Sequence, residues 1–136
     1  MMLATRSVGD VTRSTDNGMT WDQSAKQIVQ SDSADYVDTE NFLQLFTSDY
    51  DNSLISISKS DTMRNIYKST NNGNDWVYLG TIKSAKVNDV KFSPKGDIFI
   101  AAKEGIFGTT DGGKTFNLLC AQTDLHNWQF LDIEYD

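Results

Sequence analysis

The sequence predicts an all-β fold assembled from repeated four-stranded antiparallel sheets, on three observations. One short pattern recurs three times, starting at Ser14, Ser69 and Thr109. Runs rich in Val, Ile, Phe and Tyr flank the copies and are bounded by Gly, Asn, Asp and Ser, as strands joined by tight turns are. The interval between copies is close to the roughly 40–50 residues that one four-stranded unit takes up.

Along the chain, Met2 to Arg6 and Asp10 to Arg13 read as two strands ahead of the first copy. Residues 22–41 are polar and acidic with few strand formers, which predicts an exposed loop with a short helix near Ser24 to Gln30. Four strands follow at Phe42 to Thr47, Leu54 to Ser58, Asn65 to Lys68 and Trp76 to Leu79. The second of these alternates apolar and polar residues, as a half-buried strand does. Four more are expected at Asn88 to Phe92, Asp97 to Ala102, Ile106 to Gly108 and Thr115 to Cys120. The single proline, Pro94, falls in the turn Ser93-Pro94-Lys95-Gly96, where a missing amide hydrogen does no harm. A last alternating run, Trp128 to Tyr135, reads as one further strand.

The repeated pattern is a hairpin turn in chemical terms. The copies are Ser14-Thr15-Asp16-Asn17-Gly18-Met19-Thr20-Trp21, Ser69-Thr70-Asn71-Asn72-Gly73-Asn74-Asp75-Trp76 and Thr109-Thr110-Asp111-Gly112-Gly113-Lys114-Thr115-Phe116. The opening hydroxyl (Ser14, Ser69, Thr109) can take up a free turn amide. Asp16, Asn71 and Asp111 can bond back to the backbone in an Asx-type turn. Gly18, Gly73 and Gly113 permit positive φ. Trp21, Trp76 and Phe116 start the return strand and cover the hairpin with a large apolar face.

These segments resemble the Asp-box repeat, Ser/Thr-x-Asp-x-Gly-x-x-Trp/Phe. The first and third copies fit fully, and the middle one carries Asn71, which keeps the acceptor without the charge. Asp boxes occur in sialidases, sortilin-type receptors, some glucan hydrolases, a photosystem assembly factor and phage tail proteins. The resemblance implies a β-propeller in which each box joins the third and fourth strands, C and D, of a blade. On that plan the chain reads BCD-ABCD-ABCD-A: blade 1 is residues 2–26 plus 128–135, blade 2 is 42–82 and blade 3 is 87–121. Rings contain roughly four blades or more, so the ring is expected to be completed by another copy or by further sequence. A homodimer of six blades is the expected assembly.

Composition narrows the partners. The net charge of −7 and the lack of a basic stripe argue against a nucleic-acid ligand. No run approaches the roughly 18 apolar residues of a spanning helix, so membrane insertion is not expected. The N-terminus shows no signal-peptide pattern, and the resemblance points to an extracellular or virion surface more than to the cytoplasm. Cys120 is the one cysteine, which rules out an intrachain disulfide and a cysteine-based zinc site, and it reads as a small core residue. No cofactor is implied. Asp32, Asp35, Asp38 and Glu40 form an acidic loop without the pattern of a calcium-binding hand.

Enzymatic readings find little support. A sialidase needs an arginine cluster, and the chain has Arg6, Arg13 and Arg64 only, without the family's Arg-Ile-Pro segment. His126 is the one histidine, and no Gly-x-Ser-x-Gly elbow accompanies it. The boxes lie away from the catalytic face of such proteins, so they speak for the fold and not for an activity. Propeller ligands sit on the face opposite the boxes, where the connections carry Tyr36, Asp61, Arg64, Lys103, Glu104, His126 and Trp128. That mixture of charge and aromatics suits a glycan or protein ligand. The expectation is a non-catalytic binding or structural module, lectin-like or a virion tail or fibre component. The alternative is a piece of a larger Asp-box protein, such as a glycoside hydrolase with its catalytic residues elsewhere.

Overall fold

The computed structural model describes residues 2–5, 11–22, 28–30, 42–60 and 62–121. These residues form eleven strands in three sheets and contain no helix. The first sheet is an antiparallel pair, β1 (Met2–Thr5) and β2 (Val11–Ser14). The middle sheet contains β3 (Ile28–Gln30), β4 (Phe42–Thr47), β5 (Leu54–Ser60), β6 (Met63–Ser69) and β7 (Asp75–Ile82), in the order β3-β7-β6-β5-β4. The last sheet contains β8 (Val87–Phe92), β9 (Ile98–Ala102), β10 (Gly105–Thr109) and β11 (Asn117–Ala121), in the order β11-β10-β9-β8. The predicted run Trp128 to Tyr135 lies outside the described residues.

The middle and last sheets repeat each other in detail. Both are antiparallel meanders through four consecutive strands, β4 to β7 and β8 to β11. Each has an irregularity on its first strand, between Phe42 and Gln44 and between Val87 and Asp89. Each has another where the last two strands pair, at Ile66/Tyr67 and Ile106/Phe107. A bulge leaves one residue of the longer strand unpaired. Here those residues are Leu79 and Leu119, which fall between the paired positions Tyr78 and Gly80 and between Leu118 and Cys120.

Two expectations need correction around residues 22–41. Residues 28–30 are a strand and not part of a helix, and they run parallel to β7, pairing Ile28 with Asp75 and Gln30 with Val77. The β-branched pair Ile28-Val29 suits a strand, and β7 would otherwise present an open row of backbone groups. After the first repeat turn only the single bridge Arg13–Asp22 continues the first sheet among the described residues.

The core lies between the middle and last sheets. Phe46, Ile55, Ile57, Ile66, Leu79 and Ile82 of the middle sheet meet Val87, Val90, Phe92, Ile98, Ile100, Ala102, Phe107 and Phe116 of the last. A smaller cluster on the opposite face of the middle sheet joins Leu45, Leu54, Tyr67, Trp76 and Tyr78 to Leu3 of the first sheet. β5 is therefore buried on both faces, with Ile55, Ile57, Ser56 and Ser58 at 0–1 % exposure. That corrects the half-buried reading: alternation here separates two interiors, and small serines fill the thinner one. Cys120 is also corrected. It is exposed, because β11 is an edge strand whose five residues all face solvent to a large degree.

Full burial of an isoleucine contributes about 1.5–3 kcal/mol, and truncation adds a cavity. Ile57→Ala should therefore lower the unfolding free energy by about 2–5 kcal/mol, read as a lower urea midpoint at unchanged slope. A change within measurement error would show that the sheets do not pack through this residue.

Candidate functional site

The three repeat turns lie at one end of the sheets, together with the β4–β5 and β8–β9 turns, because successive antiparallel strands alternate direction. Each repeat turn is held the same way. The amide of Gly18 donates to Ser14 Oγ (2.8 Å), that of Gly73 to Ser69 Oγ (2.9 Å) and that of Gly113 to Thr109 Oγ1 (3.0 Å). The opening hydroxyls donate in turn to Asp16 Oδ1, Asn71 Oδ1 and Asp111 Oδ1 at 2.7, 3.0 and 2.7 Å. These oxygens also accept the amides of Thr20, Asp75 and Thr115 at 2.9, 2.9 and 3.0 Å. The glycines have φ of 89°, 78° and 95°.

The residue before each glycine is left-handed as well: Asn17 and Asn72 at 60° and Gly112 at 75°. Asn and Gly are the residues that tolerate this conformation, so the fourth position of the repeat carries a turn signal of its own. The aromatics differ in cover. Trp76 is fully buried and Phe116 packs against the core, whereas Trp21 is 37 % exposed.

Hydrogen bonding sets the acidity of the turn carboxylates. The Thr20 hydroxyl, with the Thr20 amide and the Ser14 hydroxyl, holds Asp16 down to about 2 from an ordinary 3.8. The Thr115 and Thr109 hydroxyls and the Thr115 amide hold Asp111 well below the usual carboxylate range. Donors to the charged form favour it. Neither carboxylate is poised for proton transfer near neutral pH.

At the opposite end, the structure brings Arg64 and Glu104 to one peptide. Arg64 is 7 % exposed, and its guanidinium donates to the carbonyls of Met63 (2.7 Å) and Ala85. Glu104 Oε1 accepts the amide of Ala85 at 3.1 Å. Burial pushes the Glu104 carboxyl up, while the Ser84 hydroxyl, then the Ala85 amide and the Lys103 charge, pull it below its ordinary value. The nearby Ser84 Oγ donates to the Lys86 carbonyl (2.8 Å). Lys103 is exposed, and its amide donates to the Lys86 carbonyl (3.0 Å). Two of the predicted ligand residues thus fix the 83–86 connection between the middle and last sheets. Tyr36, Asp61, His126 and Trp128 lie outside the described residues, as do Asp32, Asp35, Asp38 and Glu40.

A half-open cleft of about 460 Å³ opens beside the turn end, between the first and middle sheets. It is lined by the apolar Leu3, Leu45 and Leu54 and the polar Thr47, Asn52 and Asn72. None of these was singled out from the sequence. Asn52 (φ 54°) and Asn72 (φ 60°) are exposed turn residues at the same end of one sheet. The Asp51-Asn52 and Asn71-Asn72 pairs mark those turns in the sequence, but not that the turns stand over shared leucines. Among the described residues no group of acidic, His or Cys side chains is arranged to hold a metal ion, and no helix is long and apolar enough to cross a membrane. No protein-family model, curated protein or solved structure matches the chain.

Two predictions follow from the turn geometry. Gly113 has positive φ, and a Cβ there would lie 2.6 Å from Leu79 Cδ1. Gly113→Val should cost on the order of 1–3 kcal/mol from strain alone, with the clash added, and a melting temperature equal to that of the parent would contradict the arrangement. The second concerns acid. Asp16 and Asp111 have folded pKa values below their unfolded ones, so their contribution is full above about pH 4 and is lost as pH falls through the folded values. The doubly substituted Asp16→Asn, Asp111→Asn protein, with Asn71 as the precedent, should lose less melting temperature than the parent between about pH 4 and pH 2. Parallel curves would show that these carboxylates do not stabilise the turns.

Proposed function

We propose that the chain is part of an Asp-box β-propeller that acts as a non-catalytic binding module, lectin-like in form, and that two copies complete a six-bladed ring. The observation that carries the reading is the identity of the three turns, each closed by the same hydroxyl, Asp/Asn oxygen and left-handed glycine at one end of stacked meanders. The blades of the proposal are the two duplicated meanders, with the β1–β2 pair as part of a third. The box side chains are engaged in turn closure, and Arg64 and Glu104 in holding Ala85, which leaves these groups to structure and not to chemistry.

The cleft supports a glycan ligand. A sugar ring offers an apolar face and a polar rim, which the leucines and the Asn52, Asn72 and Thr47 of the lining can meet. Its position beside the box turns differs from the opposite face expected from the sequence.

A glycan array on the purified chain, with a panel of fluorogenic glycosides beside it, tests this reading. Saccharide binding without turnover is expected, weakened about tenfold or more by Thr47→Arg, which fills the cleft mouth. Turnover that vanishes on changing one carboxylate or tyrosine would overturn the non-catalytic reading. Binding indifferent to Thr47→Arg would move the ligand away from the cleft.

A further inference from the structure

We propose that Leu119 of one copy seats on the first repeat turn of a second copy, against Gly18 and Trp21. This contact deepens the dimer proposed above and rests on it.

The chain itself contains the template. At the third repeat turn, the leucine that covers Gly113 comes from the neighbouring sheet: Leu79, whose Cδ1 lies 2.6 Å from a Cβ built on Gly113. At the second turn, a leucine again comes from a neighbouring sheet, with Leu3 Cδ1 at 3.6 Å from the corresponding position on Gly73. The turn aromatics under these leucines are shielded, Trp76 completely and Phe116 in part.

The first turn is built alike but covered differently. Among the described residues the nearest atoms to a Cβ on Gly18 belong to its own sheet: Met2 Sδ at 3.4 Å and Cε at 3.9 Å, and Trp21 Cζ2 at 3.9 Å. Met2 occupies the place of Leu54, since each pairs with the opening serine of its turn. The place of the foreign leucine is open to solvent: Trp21 is 37 % exposed, Met2 46 % and Met19 86 %.

The matching knob stands on the last sheet. Leu119 is the third residue after its repeat's aromatic, as Leu79 is. Both are the unpaired bulge residue of the outer strand, opposite Ile106/Phe107 and Ile66/Tyr67. The two leucines share a place in the repeat but not a neighbour: Leu79 reaches Gly113 of the next sheet, whereas Leu119 lies over Gly108 of its own sheet and is 57 % exposed. The first sheet flanks one face of the middle sheet and the last sheet the other, so Leu119 and Trp21 of one copy lie at opposite ends of the stack. The partner chemistry that fits Leu119 is that of a glycine-aromatic turn, and the first turn is the one that no leucine of another described sheet covers. A two-fold dimer makes this contact twice and closes.

The test uses two single-cysteine proteins in a Cys120→Ser background, Leu119→Cys and Met19→Cys. Mixed and treated with a short bis-maleimide, they should give covalent dimers, while Met19→Cys alone should give none. Sedimentation should show a dimer for the parent and a rise of about tenfold or more in its dissociation constant for Leu119→Asp, a change at a solvent-facing site that leaves the melting temperature of the monomer in place. A dimer that cross-links nowhere between these positions, or that tolerates Leu119→Asp, overturns the contact and leaves the dimer standing. A monomeric parent overturns both.

Discussion

The hydroxyl that opens each repeat turn accepts the amide four residues later, and the outer part of the fold depends on that bond. In all three turns the fourth and fifth residues, the fifth being the amide donor itself, are left-handed and bring the chain back sharply. Asn-Gly, Asn-Gly and Gly-Gly meet that demand at little steric cost. Once the turn is closed, the register of β7 on β6 and of β11 on β10 is set, because a hairpin's pairing follows from its turn. The bulges that leave Leu79 and Leu119 without a cross-strand partner belong to the same two pairings.

The second constraint is that the middle sheet is buried on both faces. β5 carries isoleucines toward the last sheet and serines with Leu54 toward the first. Such a strand cannot tolerate a shift of one residue, since the bulky and small side chains would exchange interiors. The connection at 83–86 has a related duty. It passes from one sheet to the other, and its Ala85 peptide is held at the carbonyl by Arg64 and at the amide by Glu104. Charged groups that a sequence offers as ligand contacts are here engaged in fixing how two sheets meet.

The proposed glycan cleft and the proposed dimer contact both arise from repetition that is incomplete. At the second and third turns a leucine from the neighbouring sheet covers the glycine. Beside the first sheet, which is two-stranded among the described residues, apolar and amide groups remain accessible. Leu3 illustrates this: it covers Gly73 and lines the cleft with Asn72.

The local pattern alone determined the turns, the strands that flank them, and their order in the middle and last sheets. A left-handed turn and a β-branched strand are decided by the residues that form them. It did not determine that Ile28 to Gln30 would join the outer edge of the middle sheet, because that pairing depends on a distant strand lacking a partner. Nor did it separate Trp21 from Trp76, which have the same place in the repeat and opposite exposure; burial depends on the neighbour, which the repeat does not encode. Cys120 and Leu119 were equally ambiguous, since an apolar run reads alike at the centre and at the edge of a sheet. Arg64 and Glu104 could be placed at the correct end from strand order, but their engagement with Ala85 required the two sheets to be brought together. The tertiary structure decided these points because each is a contact between segments far apart in the chain, and only packing brings such segments within reach.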